Sequence, residues 1–321
     1  MTARVLLRSA VLLAVPVAVC AAACGAAPAD VAVESSGGGA VPGAEVARAD
    51  DVAPGAAPSE PGLTLPLDAY AFTAAEDELL GRVGEAHVRD CATSLGLDAA
   101  AIDPLPFGTA AETASAAAGR HDRRYAVADP EVAAAHGYHP PSTADVRREF
   151  YEAHTDAELE VLVGVTADGE PAARDDVPEG GCLGSATRAT AVAPASASAL
   201  RDGQELVSTV QADAWHAALG DPRVLDAFAA WSACMAEAGF RYAAPMDAND
   251  DPRWWTSDTA GPDEIATAVA DVACKQSTGL IPVWSAVEAD YQAQLIAGHR
   301  AQLDDYRALL DQQVAAASTA R

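Results

Sequence analysis

Four cysteines in the interior of the chain, Cys91, Cys182, Cys234 and Cys274, limit its fold more than any other feature. Two of them share a setting. Cys91-Ala-Thr-Ser-Leu-Gly96-Leu97 and Cys234-Met-Ala-Glu-Ala-Gly239-Phe240 each place a cysteine on the last turns of an apolar-periodic segment, five residues ahead of a glycine suited to end a helix. The other two also resemble each other: Cys182-Leu-Gly-Ser-Ala-Thr187 and Cys274-Lys-Gln-Ser-Thr278 each follow an acid by three residues, Glu179 and Asp271. The simplest account is a duplicated unit in which a helix-end cysteine bridges to a downstream one. Of the three pairings open to four cysteines, this account predicts Cys91–Cys182 and Cys234–Cys274, within repeat units over 72–190 and 220–280. A zinc site made from the same thiols would favour close C-x2-C pairs, and the sequence has none.

Bridges of this kind persist in an oxidising compartment, and the N-terminus supplies a route to one. Arg4 and Arg8 precede an apolar run, Ala10 to Val19, and Ala21-Ala22-Ala23 then leads into Cys24-Gly25. A basic start, a short apolar stretch and small residues before a cleavage point make a secretory signal. A cysteine directly after the cut is the acceptor of a bacterial lipid anchor, so residues 1–23 read as a lipoprotein signal peptide and Cys24 as the lipidated residue. Ala21 stands where such signals more often carry Leu, Val or Ile. The alternatives are cleavage near Ala27, giving a soluble exported protein, and retention of the segment as an uncleaved anchor. The apolar run is shorter than the ~20 residues of a comfortable transmembrane helix.

Residues 24–62 are rich in Ala, Gly, Pro and Ser and lack apolar periodicity, so they read as a disordered tether. A flexible chain of that length spans roughly 35 Å root-mean-square. A helical extracytoplasmic domain is expected over 63–318. Half of the residues are apolar, much of that alanine, and only 5% are aromatic, a balance that favours helix over sheet. Thr73-Ala-Ala-Glu76 is a capping-box pattern, followed by Leu79, Leu80, Val83, His87 and Cys91 at helical spacing. Further helices are expected from about Gln204 to Leu219, from Asp221-Pro222 to Gly239, and from Pro262 to about Lys275. A long amphipathic helix is expected over 282–315, in a pattern where Leu280, Trp284, Val287, Tyr291, Leu295, His299, Leu303, Tyr306 and Leu310 recur in steps of three or four. The proline-rich middle admits short helices around 143–152 and 155–163, while Val161-Leu162-Val163 and Ala191-Val192-Ala193 could instead be strands. The fold class is mainly α: a disulfide-stapled helical domain of two divergent repeats with a long C-terminal helix.

The run Val269-Ala-Asp-Val-Ala-Cys274-Lys-Gln-Ser-Thr-Gly279-Leu280, continued by Trp284, Val287-Glu288, Gln292 and Ile296, resembles exported actinobacterial lipoproteins without assigned activity. Trp231-Ser-Ala-Cys234-Met235, Gly239-Phe240 with Tyr242, and Gly181-Cys182-Leu183-Gly184 fit the same pattern. The resemblance implies an envelope location and a cysteine-linked helical fold, and no reaction. The abundance of Ala, Gly and Arg, against the single lysine Lys275, fits a GC-rich genome.

A net charge of −27 repels phosphate backbones and anionic headgroups, which argues against nucleic acid as a partner. His136-Gly-Tyr-His139 has the spacing of a metal pair, but Gly137 and Pro140-Pro141 favour a turn. Asp247-Ala-Asn-Asp-Asp251 begins like a calcium loop, yet Pro252 stands at the turn glycine and Asp258 at the bidentate acid. No G-x-S-x-G, S-x-x-K or phosphate-loop pattern occurs. No catalytic residue, metal ligand or cofactor is therefore assigned. Trp254-Trp255 beside Asp247 and Asp251 is the candidate ligand cleft, since adjacent tryptophans in a loop cannot both turn inward easily. The expected function is a non-enzymatic binding or interaction module on the outer face of the cell membrane, engaging an envelope protein or wall component. The alternatives are a ligand-binding accessory lipoprotein of an envelope transporter and a wall hydrolase with dispersed carboxylates.

Overall fold

A computed structural model describes residues 63–107, 109–141 and 146–319. The signal peptide, Cys24 and the tether lie outside the described residues. Eleven α-helices account for most of the described chain: α1 (Ala74–Ser94), α2 (Ala110–Ala118), α3 (Pro130–His136), α4 (Val146–Ala153), α5 (Asp156–Val163), α6 (Gly181–Ala189), α7 (Ala197–Gly220), α8 (Pro222–Glu237), α9 (Pro245–Asn249), α10 (Pro262–Thr278) and α11 (Leu280–Thr319). Among the described residues there is no β-strand, only two isolated bridges. The protein is mainly α, as its composition implies.

Local chemistry sets the helix ends. Thr73 accepts from the Glu76 backbone N–H while the Glu76 carboxylate accepts from Thr73 N–H, so the two satisfy donors that α1 leaves unpaired. Asp221 caps α8 with its side chain alone, accepting from Arg223 N–H with Pro222 at the first helical position. Residues 161–163 end α5 rather than forming a strand, because Thr155 and Glu158 build a capping box that starts the helix at Asp156. Residues 191–193 are irregular.

The disulfides join Cys91 to Cys182 and Cys234 to Cys274, with Cα–Cα distances of 5.6 and 5.7 Å. At each helix-end cysteine the backbone closes alike. Gly96 (φ 93°) and Gly239 (φ 95°) take left-handed conformations. The next residue's N–H then reaches back to the carbonyl of the residue after the cysteine: Leu97 to Ala92 at 3.0 Å and Phe240 to Met235 at 2.8 Å. The downstream cysteines sit differently. Cys182 lies in the first turn of α6, and Cys274 lies near the end of α10. The two units thus share their helix-end half, not the segment that receives the bridge.

Three buried clusters fill the interior. One gathers Val88, Ile102, Phe150, Leu162 and Cys182 beneath α1, α5 and α6. A larger one centres on Trp231, Trp284, Phe228 and Tyr125, between α8, α10 and the start of α11. A third joins Leu303, Tyr306 and Leu310 of α11 to Val210 of α7. The proposed repeat boundary is not respected throughout, since α3 packs on α10 instead of joining the Cys91–Cys182 cluster.

Two helices run longer than their periodicity suggests. α11 follows α10 after the single residue Gly279 and extends for 40 residues, about 60 Å at 1.5 Å per residue. Pro282 falls in its first turn, where a missing N–H is harmless. α7 begins at Ala197, seven residues before Gln204, and passes through Gly203. That glycine is required by packing: a Cβ there would lie 2.4 Å from the Tyr306 ring.

The larger cluster holds a buried ion pair. Lys275, 1% exposed, donates to the Asp271 carboxylate at 2.9 Å and to the Val127 carbonyl at 2.8 Å. Trp231 Nε1 donates to the other Asp271 oxygen at 2.9 Å. This network ties α10 to α8 and to the segment before α3.

Candidate functional site

The structure divides the expected cleft between separate tasks. Asp247 accepts from the Ala244 N–H at 3.0 Å and opens α9. Asp251 accepts from the Tyr242 hydroxyl at 2.9 Å and from Arg253 Nη2 at 2.8 Å, and this arginine holds its carboxyl down at about 2. Trp254 is buried, donates to the Ala248 carbonyl at 2.7 Å, and carries the Arg253 guanidinium 4.6 Å above its ring. Trp255 is the outward member of the pair, 48% exposed, with its ring 4.9 Å from that of His139. Both carboxylates and one indole are thus engaged in holding the loop together.

His136 ends α3, and His139 lies in the turn beyond it. His139 Nδ1 faces the Glu264 carboxylate at 2.8 Å and Nε2 faces the Ser257 carbonyl at 2.9 Å. Both partners are acceptors, so this geometry is complete only when the imidazole carries two protons. The same Glu264 oxygen accepts from the N–H groups of Tyr138 and His139. Among the described residues no three His, Cys, Asp or Glu side chains converge as a metal site. The hydrogen bond to Glu264 raises the His139 pKa above its ordinary 6.5. A histidine pKa raised on folding contributes stability that is complete below about 6.5 and lost as pH rises through the raised value. The expected result is a melting temperature that declines over this range in the native protein and much less in His139→Gln. Parallel pH profiles would remove the clamp from the account; thermal unfolding across pH is the measurement.

A groove of about 430 Å³ lies elsewhere, lined by Arg124, Ser208, Gln211, Ala212 and Trp215. The last four occupy one face of α7 at helical spacing. Arg124 is fixed from behind by Glu288 of α11, whose side chain has no exposure. Glu288 accepts from Arg124 Nε at 2.9 and 3.0 Å, and also from Nη2. It further accepts from the Tyr125 hydroxyl and from Gln292 Nε2, each at 2.8 Å. Gln292 in turn accepts from Leu67 N–H at 3.0 Å. Burial, reinforced by the Glu288 charge, pushes the Tyr125 phenol far above its ordinary value of 10.0, so it remains a donor. The Arg124 guanidinium lies 5.3 Å from the Trp215 ring centre, and Trp215 packs against Trp284 at 4.7 Å.

This arrangement leaves a defined set of groups at the groove. Arg124 lines the groove, and its bonds to Glu288 run through Nε and Nη2, leaving Nη1 without a hydrogen bond among the described residues. Ser208 uses its proton on the Gln204 carbonyl and keeps an acceptor oxygen. The Gln211 amide offers both a donor and an acceptor. Sequence reasoning did not find the groove, because Arg124 and Glu288 stand 164 positions apart. One signal was present: Glu288 and Gln292, four apart, interrupt the apolar face of α11.

Comparisons with protein-family models, with curated proteins and with solved structures return no match. The two disulfides point to an oxidising, extracytoplasmic environment. No helix among the described residues is long and apolar enough to cross a membrane.

Proposed function

We propose that the chain is an exported lipoprotein of the actinobacterial type, anchored through Cys24 on the outer face of the cell membrane. Its disulfide-linked helical domain acts as a non-enzymatic binding module for a component of the cell envelope. The observation that carries the binding reading is the groove at Trp215. There a guanidinium held by a fully buried carboxylate lines a partly apolar groove beside the Trp215 ring, with Nη1 not engaged by that carboxylate. Preorganised donors of this kind favour binding because little side-chain freedom is lost when a ligand arrives. The Arg4/Arg8 leader and the small residues before Cys24 support the anchoring. Replacing Cys24 with serine should move the protein from the membrane fraction to the soluble fraction. Retention in the membrane after a carbonate wash would overturn the lipid anchor.

A further inference from the structure

From the groups gathered at the Trp215 groove, we infer that it binds an N-acetylated amino sugar, one or two rings of an envelope glycan. This assignment rests on the binding reading above and names its ligand. Arg124 already faces Glu288 through Nε and Nη2, so its charge is balanced before any ligand arrives. The chain carries −27 overall, which opposes a full anion near the surface. What remains at Nη1 is a donor suited to a neutral acceptor such as an amide carbonyl. An acetamido group supplies that carbonyl together with a methyl, for which Trp215 and Ala212 offer the apolar wall. Ring hydroxyls would meet the Gln211 amide and the Ser208 oxygen. The groove volume of about 430 Å³ lies within the range of small-ligand sites.

The test uses the full mature chain and di-N-acetylchitobiose as probe, with cellobiose as the control that has hydroxyls in place of the acetamido groups. Binding is followed by the indole N–H resonances in heteronuclear NMR. The acetylated disaccharide is expected to shift the Trp215 indole signal in a saturable manner, and cellobiose is expected to leave it in place. Gln211→Ala should weaken the response about 2- to 10-fold, the range of one hydrogen bond. Ala212→Glu, at an exposed position that does not threaten folding, should abolish it. The assignment is overturned by no response to the acetylated probe, by an equal response to cellobiose, or by binding that survives both substitutions. It is also overturned if an N-acetylated tripeptide shifts the same signal more strongly than the sugar. The Cys24→Ser fractionation is independent of all these outcomes, so a failed ligand and a failed anchor would be told apart.

Discussion

Replacing Lys275 with methionine is expected to destabilise the protein by about 3–5 kcal/mol, the cost of leaving one member of a buried ion pair alone. Asp271 is 0% exposed and would lose its one cationic partner while keeping the Trp231 indole as a donor. Burial pushes the Asp271 carboxyl above its ordinary 3.8, and in the native protein Lys275 opposes that push. Without the lysine, folding takes up a proton. The variant should therefore recover stability as pH falls from about 7 to about 5, because the native state then binds more protons than the unfolded chain. The double variant Asp271→Leu/Lys275→Met removes both charges and should be less damaged than the single one. Urea unfolding at two pH values measures all three effects. A Lys275→Met variant within 1 kcal/mol of the native protein, or a double variant worse than the single, would discard this account.

The second large effect belongs to the longer disulfide. Cys91–Cys182 closes a separation of 91 residues and Cys234–Cys274 one of 40. The chain-entropy relation gives about 4–5 kcal/mol for the first and about 4 kcal/mol for the second. Replacing Cys91 and Cys182 together by serine should also loosen a particular region. That bridge pins the smaller cluster of Val88, Ile102, Phe150 and Leu162, which has no tryptophan to add apolar area. Cys234–Cys274 instead borders a cluster already held by Trp231 and Trp284. Amide exchange should accelerate in α1, α5 and α6 of the first variant while α8 and α10 stay protected. Equal acceleration across both clusters would refute this division, and losses below 1 kcal/mol for either pair would refute the entropic estimate.

The parts of this fold legible in the sequence are those governed by neighbours along the chain. Thr73 and Glu76, or Asp221 and Pro222, form their caps within one turn, so their residue types announce them. The cysteine pairing was legible for the same reason: two helix ends of matching local pattern close with the same backbone bonds. Legibility failed where distant groups decide. Gly203 looks like a break in α7, and only Tyr306, on another helix, explains why the helix passes through it. The loop around Trp254 and Trp255 looked like a cleft because its residue types suit a ligand. Its carboxylates are engaged by Arg253, Tyr242 and a helix N-terminus, which a reading by composition does not weigh. The groove at Trp215 was hidden for the opposite reason. Its side chains are ordinary, and only the approach of α11 to the Arg124 segment makes them a site.

The burial of Lys275 has a practical consequence. It is the chain's sole lysine, and it is enclosed by Asp271 and the Val127 carbonyl. The native domain therefore offers no ε-amine to reagents that acylate lysines. Cross-linkers that capture neighbours through such amines would pass over it on an intact cell and give a false impression of isolation. Carboxyl-directed coupling is the chemistry by which its neighbours can be caught, since the chain carries 47 aspartates and glutamates and buries only a few of those described, among them Glu264, Asp271 and Glu288.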